Sequence, residues 1–472
     1  LTSPLVVTRR MVEHPADSHT FARYEATGGY SQAGRALKMT RDELIGEVKA
    51  SGLLGRGGAA FPAGLKWGFL GPARPSYVVV NGDESEPGTF KDRQLMERDP
   101  HQVIEGAIIA SVAAEARRAF IYIRGEYAKP ARRMQAAVDE AYVAGRLGKR
   151  IFGADFDLDV TVHLGGGAYI CGEETALINS LEGRRGEPRL KPPHFPAASG
   201  LYGAPTIVNN VETISNLPHV LEMGGAAYSE LTGAEDAGTF LMSLSGRVNR
   251  PGNYELPHGI TWRRLIYDVG GGVRDGRKLK AWIPGGASAP WLVPDKHLDL
   301  EITQKAAVAA GTMLGSGAVI VMDEGTCMVR AAERVVRFFA HESCGQCTPC
   351  REGTGWLEMI LRRIEEGEGR PVDLDLAVSV AGGISVGLDW PPKITTICPL
   401  GPSAVSPIIA LRDHFRDEVE AHVSGGGCPF RAGRGGDPGG GPDGDPGGDP
   451  GGDPGGGPDG GPGPGPGGGE PK

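Results

Sequence analysis

Between Tyr77 and Gly183 the chain alternates short β-rich runs with stretches of helical period, and this alternation restricts the fold more than any other feature. Tyr77-Val-Val-Val-Asn81 is a β-rich run that ends in an acidic loop. Pro100 reads as a helix start, because proline's fixed φ suits the first helical position and its missing N–H costs nothing there. Val103, Ile104, Ile108, Ile109 and Val112 then recur at helical spacing. A second β run covers Phe120–Ile123, and helix returns over 130–147 with Met134, Ala137, Val138 and Tyr142 on one stripe. Leu158, Val160, Val162 and Leu164 alternate as a half-buried strand does. Three glycines end that strand, and 168–183 reads as the next helix. Parallel neighbours are joined by crossovers, so this order implies an α/β fold on a parallel sheet.

The flanking segments differ. Residues 41–52 read as a helix running into a glycine-rich loop. Residues 238–300 read as a small α+β module, with β runs at Phe240–Leu244 and Leu279–Ile283 and one helix near Trp262–Asp268. Residues 327–424 are helical by period: Val329, Val335, Val336 and Phe339 mark one helix, Trp356, Met359, Ile360 and Ile364 another, and Val405 to Val423 a last one. A small bundle is their natural packing. Residues 431–472 repeat Gly, Asp and Pro, offer almost nothing to bury, and are expected to be disordered.

A chain of 472 residues is too long for one ordinary core, so several domains are expected. No apolar run approaches the roughly 18–20 residues that span a bilayer, and residues 1–20 lack the apolar core of a secretory signal. The net charge of −9 argues against a nucleic-acid footprint, which needs a basic face. The 7 cysteines are odd in number and clustered, which favours metal or redox chemistry over a disulfide framework.

Four motifs carry chemistry. Cys344-Gly-Gln-Cys347-Thr-Pro-Cys350, with Cys398-Pro399 further on, has the spacing by which iron–sulfur cubanes are held. Zinc is the rival, but structural zinc usually takes two separated C-x2-C pairs. Cys171, Cys327 and Cys428 stand apart and read as structural thiols. Gly55-Arg-Gly-Gly-Ala-Ala-Phe-Pro62 lets backbone approach a phosphate or a flat ring, with Arg56 and Lys66 adding positive charge, yet it follows a helix and would serve equally as a structural loop. Gly165-Gly-Gly-Ala-Tyr-Ile-Cys-Gly-Glu-Glu174 lies between a strand and a helix, where an anion is favoured; its two acids suit either the helix dipole or ligand hydroxyls. Asn81-Gly-Asp-Glu-Ser-Glu-Pro-Gly88 ends a β run, where open α/β sheets bind ligands, although a solvated loop has the same composition. No hydrolase or kinase signature is present.

Taken together, residues 55–67, 81–93, 167–183, 209–213, 342–353 and 397–404 closely resemble the NADH-binding flavoprotein subunit of respiratory complex I, the 51-kDa type. The resemblance covers roughly 20–425. It implies a Rossmann-like FMN- and NADH-binding domain over 1–230, a ubiquitin-like β-grasp module over 231–310, and a helical bundle with one [4Fe–4S] cluster over 311–430, ahead of the 431–472 tail. It implies hydride transfer from NADH to FMN, then single electrons to the cluster and on towards quinone.

By the same resemblance Gly55, Arg56, Gly57, Gly58 and Lys66 sit by FMN and NADH, Asn81, Asp83 and Glu84 hydrogen-bond FMN, and Tyr169, Gly172 and Glu173 line that pocket. Asn209 and Asn210 reach the flavin phosphate side; Phe61, Phe69 and Phe195 stack on NADH; Glu86 and Glu174 bond its polar groups. Cys344, Cys347, Cys350 and Cys398 ligate the cluster. Ala60 stands where the family usually has glycine, and His194 is an extra residue in the Lys191-Pro-Pro-His-Phe-Pro-Ala197 segment. Expected partners are a 24-kDa-type [2Fe–2S] subunit and the large multi-cluster iron–sulfur subunit of the peripheral arm, with membrane contact only through partners on the cytoplasmic side. The alternatives are a diaphorase subunit of an NAD-reducing hydrogenase or NAD-dependent formate dehydrogenase, and a non-catalytic electron-carrying scaffold.

Overall fold

Four strands form the first sheet: β1 (Tyr77–Gly82), β2 (Arg118–Ile123), β3 (Asp159–Leu164) and β4 (Thr206–Asn210). Their order is β3-β2-β1-β4 and every neighbouring pair is parallel. This is a computed structural model, and it describes residues 5–233 and 236–430. The tail expectation for 431–472 therefore lies outside the described residues.

The helices around this sheet are α1 (Arg41–Ala50), α2 (Ala63–Gly68), α3 (Lys91–Arg98), α4 (Pro100–Ala114), α5 (Ala128–Val143), α6 (Glu174–Leu181) and α7 (Val211–Met223). Thr40 and Glu43 close a capping box that starts α1. Pro100 does open α4, and all 15 residues of that helix are buried, as an apolar circumference requires. α5 begins and ends somewhat earlier than its stripe suggests. α6 starts later than expected: Tyr169–Gly172 is a tight 3-10 turn, and Glu173 then caps α6 by accepting from the N–H groups of Thr175 and Ala176.

The second sheet has β5 (Thr239–Gly246), β6 (Gly252–Pro257), β7 (Leu279–Ile283) and β8 (Ala318–Asp323), in the order β6-β5-β8-β7. The central pair β5–β8 is parallel and both outer pairs are antiparallel, the arrangement of a β-grasp. β8 lies past residue 310, so the sheet is completed by a strand beyond the expected module boundary. The expected helix near Trp262–Asp268 is a wider π-type turn at Arg264–Val269. It packs on a core that includes Trp262 and Trp282.

The C-terminal part is helical: α8 (Met328–Glu342), α9 (Thr348–Glu366), α10 (Asp373–Ile384), α11 (Ser406–His414) and α12 (Arg416–Gly425). The single helix expected over Val405–Val423 breaks at Phe415, whose φ of −136° and ψ of 25° leave the helical region. Apolar spacing continues on both sides of the break, so the period alone cannot reveal it. Among the described residues no helix is long and apolar enough to cross a membrane.

Candidate functional site: a crevice joined to a cysteine cluster

Strand order reverses between β1 and β4, and open α/β sheets bind ligands outside the carboxyl ends at such a point. Asn81 and Asp83 on one side, and Asn209 and Asn210 on the other, stand there. The Gly55–Gly58 loop lies against the end of β4: a Cβ on Gly57 would sit 3.0 Å from that of Asn210. Asn81 Nδ2 donates to the Gly172 carbonyl at 2.9 Å, which draws the Tyr169–Gly172 turn over β1. A Cβ on Gly172 would lie 3.6 Å from Asp83 Oδ2. Asp83 Oδ1 accepts from Ser85 Oγ at 2.8 Å, whereas Oδ2 is buried without a partner. Burial pushes this carboxyl up to about 7. An orphaned carboxylate oxygen inside a glycine-lined cradle fits a flat ligand with an N–H donor, such as a flavin ring.

Charge gathers on the neighbouring wall. Lys66 Nζ donates to Glu174 Oε2 at 2.6 Å, and Lys191 Nζ donates to both Glu173 Oε1 and Glu174 Oε1 at 2.8 Å. Burial would raise the Glu174 carboxyl, but Lys66 and Lys191 outweigh it and hold it at about 2. Lys191 is a site residue that sequence reasoning missed; its signal was a lysine opening the Pro-Pro segment that presents Phe195.

Other expected residues turn elsewhere. The Arg56 guanidinium is buried and bonded to His258 and to the carbonyls of Ala237 and Thr239, so its N–H groups point to the β-grasp module and not into the crevice. Both Glu84 carboxylate oxygens accept N–H groups at the start of α3, from Asp92 at 2.7 Å and Arg93 at 2.8 Å. Asn210 caps α7 through Oδ1 and donates to Asp92 through Nδ2, and Asn209 Oδ1 accepts from the Trp67 indole. These side chains shape the crevice. Glu86 Oε1 accepts from the backbone and hydroxyl of Ser288, and Oε2 from the Tyr169 hydroxyl. The Ser288 carbonyl in turn accepts from Ser406 Oγ at 2.9 Å.

Phe61, Phe69 and Phe195 are 47%, 64% and 52% exposed, unusual for phenylalanine and suited to stacking a planar ligand. The rings of Phe61 and Phe69 lie 6.3 Å apart, and Gly71 N donates to Ala197 O, which ties the Phe69 and Phe195 segments together. Tyr169 meets Phe338 and Phe339 edge-on at 5.2 and 5.8 Å. Phe339 shares a core with Cys350 and Cys398, so aromatic packing is continuous from crevice to cysteines.

Cys344, Cys347 and Cys350 lie in the turn between α8 and α9 and the first turn of α9; Cys398 comes from the loop after α10. The Ile397 N–H donates to Cys347 Sγ at 3.2 Å, bringing the distant segment onto the triplet. Cys350 and Cys398 are buried, and burial pushes the Cys398 thiol up to about 12, so it is metal that would hold it as a thiolate. Three thiols on one turn and a fourth from afar suit one compact iron–sulfur core.

A nucleotide crevice at a sheet switch point, packed through aromatic rings onto four such cysteines, defines a redox flavoprotein of the iron–sulfur type. Residues 48–219 match the model of the Nuo51 FMN-binding domain, 242–290 the SLBB domain, and 330–422 the iron–sulfur binding region of NADH-ubiquinone oxidoreductase-F. The NADH-quinone oxidoreductase F subunit of Mycobacterium tuberculosis is 52% identical over 418 residues, covering 87% of this chain and 91% of that one. The F subunit of Streptomyces coelicolor is 51% identical, covering 88% and 90%, and that of Salmonella typhimurium 46%, covering 85% and 89%. A solved chain of an NAD+-reducing [NiFe]-hydrogenase superposes with a TM-score of 0.73 at 34% identity; the match covers 82% of this chain and only 64% of the hydrogenase chain. The chain belongs to the family of NADH-quinone oxidoreductase F subunits.

Proposed function

We propose that the crevice between β1 and β4 seats FMN, with Gly55, Gly57, Gly58 and Lys66 along one side and Asn81, Asp83, Tyr169, Gly172 and Glu173 along the other. Arg56, Glu84, Asn209 and Asn210 hold that shape from behind. NADH stacks on Phe61, Phe69 and Phe195, with Glu174 towards its polar groups and Glu86, held by Ser288 and Tyr169, supporting that wall. Cys344, Cys347, Cys350 and Cys398 hold one [4Fe–4S] cluster. The chain is an NADH-oxidising subunit: FMN in this crevice would supply a hydride acceptor for NADH, and the cluster a one-electron path towards quinone.

The observation that carries this reading is the buried, unpartnered Asp83 Oδ2 in its glycine cradle at the switch point. The protein's part is positional, since direct hydride transfer needs no general acid or base from the chain. Lys66 and Lys191 keep Glu174 ionised and fixed in place as an acceptor. A carboxylate facing the adenosine ribose repels a 2′-phosphate, so NADH is preferred to NADPH; comparable kcat/KM for the two would refute that. The chain's parts follow as an FMN- and NADH-binding domain, a β-grasp module and a cluster-bearing bundle. Assembly is into a respiratory NADH dehydrogenase, beside a 24-kDa-type [2Fe–2S] subunit and the large multi-cluster subunit, reaching the cytoplasmic face of the membrane only through partners.

The test is NADH oxidation with ferricyanide by the chain co-expressed with its [2Fe–2S] partner, alongside FMN and iron assays. Turnover with one FMN per chain supports the reading; full iron with no FMN and no turnover replaces it with an electron-carrying scaffold. The likeness to a hydrogenase chain favours a second reading, a diaphorase subunit, which purification of the native complex and identification of its other subunits decides.

A further inference from the structure

Two of the cysteines that stand apart in sequence do not stand apart in space. Cys327 caps the start of α8, Glu365 lies near the end of α9, His422 is on α12, and Cys428 follows that helix. Among the described residues these four bring one donor atom each to within 4.8 Å of one another, and all four residues are buried. We propose that Cys327, Glu365, His422 and Cys428 form a structural zinc site, separate from the iron–sulfur cluster.

The geometry has the size of a single ion. Cys327 Sγ lies 3.2 Å from His422 Nε2 and 3.4 Å from Glu365 Oε2, and His422 Nε2 lies 3.2 Å from Glu365 Oε2. Zinc bonds of about 2.0–2.3 Å give tetrahedral edges of roughly 3.3–3.8 Å, close to these separations.

The surroundings orient the donors as the supports of a metal site do. His422 Nδ1 lies 2.7 Å from the Glu418 carbonyl oxygen. A carbonyl only accepts, so Nδ1 carries the proton and the neutral ring turns its Nε2 lone pair to the group. Arg330 Nε donates to Glu365 Oε1 at 2.7 Å, leaving Oε2 aimed inward as a single ligand oxygen. The Arg330 N–H donates to Cys327 Sγ at 3.3 Å, a bond that favours a thiolate. Charge also closes: two thiolates and a carboxylate are balanced by a dication and the Arg330 guanidinium. A mixed sulfur, nitrogen and oxygen set in a tetrahedron selects zinc, which takes no part in redox chemistry.

The site is far from the cluster. Cys350 and Glu365 lie on the same helix, 15 residues apart, which is about 22 Å. The ion would tie the start of α8, the end of α9 and the segment after α12 at one end of the helix pair, while the cluster ties the other.

The experiment is elemental analysis of the untagged holoprotein, with zinc, iron and FMN measured on one sample, and zinc-edge X-ray absorption on the same material. One zinc per chain, with two sulfur and two lighter ligands, is the expected result. Cys428→Ser and His422→Gln should each reduce zinc to background while iron and FMN stay at wild-type levels. Wild-type protein with full iron and FMN but no zinc overturns the proposal. So do zinc without sulfur ligands, zinc retained in Cys327→Ser/Cys428→Ser, and a Cys327–Cys428 disulfide found by mass spectrometry of the native chain. If the variants do not fold, the absorption spectrum of the wild-type protein decides alone.

Discussion

Replacing Ala60 by glycine should stabilise the loop that lines the crevice. Ala60 sits at φ 49°, in the left-handed region, two residues after Gly58 at φ 121°. The loop is pinned at its base by the Gly55 N–H to Phe61 carbonyl bond of 2.9 Å and by the Leu54–Pro62 bridge, so Ala60 has no room to relax to negative φ without opening it. A Cβ in this region costs about 1–2 kcal/mol. Glycine gives back roughly 0.5–1 kcal/mol through the freedom it adds to the open chain. Taken at the midpoints of these ranges, the net gain is about 0.7 kcal/mol, roughly a threefold shift in the opening equilibrium, since about 1.4 kcal/mol is tenfold. Hydrogen exchange of the 55–62 amides, read by mass spectrometry on the flavin-free protein, reports that equilibrium locally and avoids a global melting point for a chain of several parts. Ala60→Gly should slow exchange about threefold, and Ala60→Val should speed it, because a branched side chain tolerates the left-handed region worst. Unchanged or faster exchange in Ala60→Gly would refute the claim that strain is stored there.

Three further outcomes are expected. Phe69→Ala should raise the KM for NADH about 2- to 12-fold, the equivalent of roughly 0.5–1.5 kcal/mol of lost ring stacking, with FMN content unchanged; steady-state kinetics and flavin absorbance check both. Cys398→Ser should lose the cluster's iron and its reduced-state electron paramagnetic resonance signal while retaining FMN. Asp83 titrates at about 7 in the fold against an ordinary 3.8, so the native state holds a proton that the unfolded chain has released between those values. Flavin-free protein should therefore lose stability as pH rises through that window, and Asp83→Asn should lose less; hydrogen exchange of the amides around Asp83 at pH 4 to 8, corrected for intrinsic rates, measures the difference.

The parts of this molecule that were legible in its sequence are those whose signal is local. The run at 77–81 became β1, Leu279–Ile283 became β7, and the proline at 100 opened α4, because alternation, apolar period and proline geometry act over a few residues. β4 escaped notice because Thr206–Asn210 is 5 residues long and buried, without alternation to mark it. The cysteine triplet declared its chemistry through spacing. Cys327 and Cys428 did not, since only the return of α12 onto the α8–α9 pair brings them together. Arg56 looked like a ligand for phosphate from its glycine neighbours, yet the carbonyls that claim it come from residues 237 and 239, about 180 positions away.

Ser288, in the β-grasp module, holds two other parts of the chain at once: its backbone and hydroxyl hold Glu86 beside β1, and its carbonyl holds Ser406 at the start of α11. A chimera that exchanged the β-grasp module between relatives would therefore have to preserve this residue's contacts as well as its linkers. The transplanted loop would have to present the same serine to an acid on one side and a hydroxyl on the other, so the piece that can be moved as a unit is the module together with both of its correspondents.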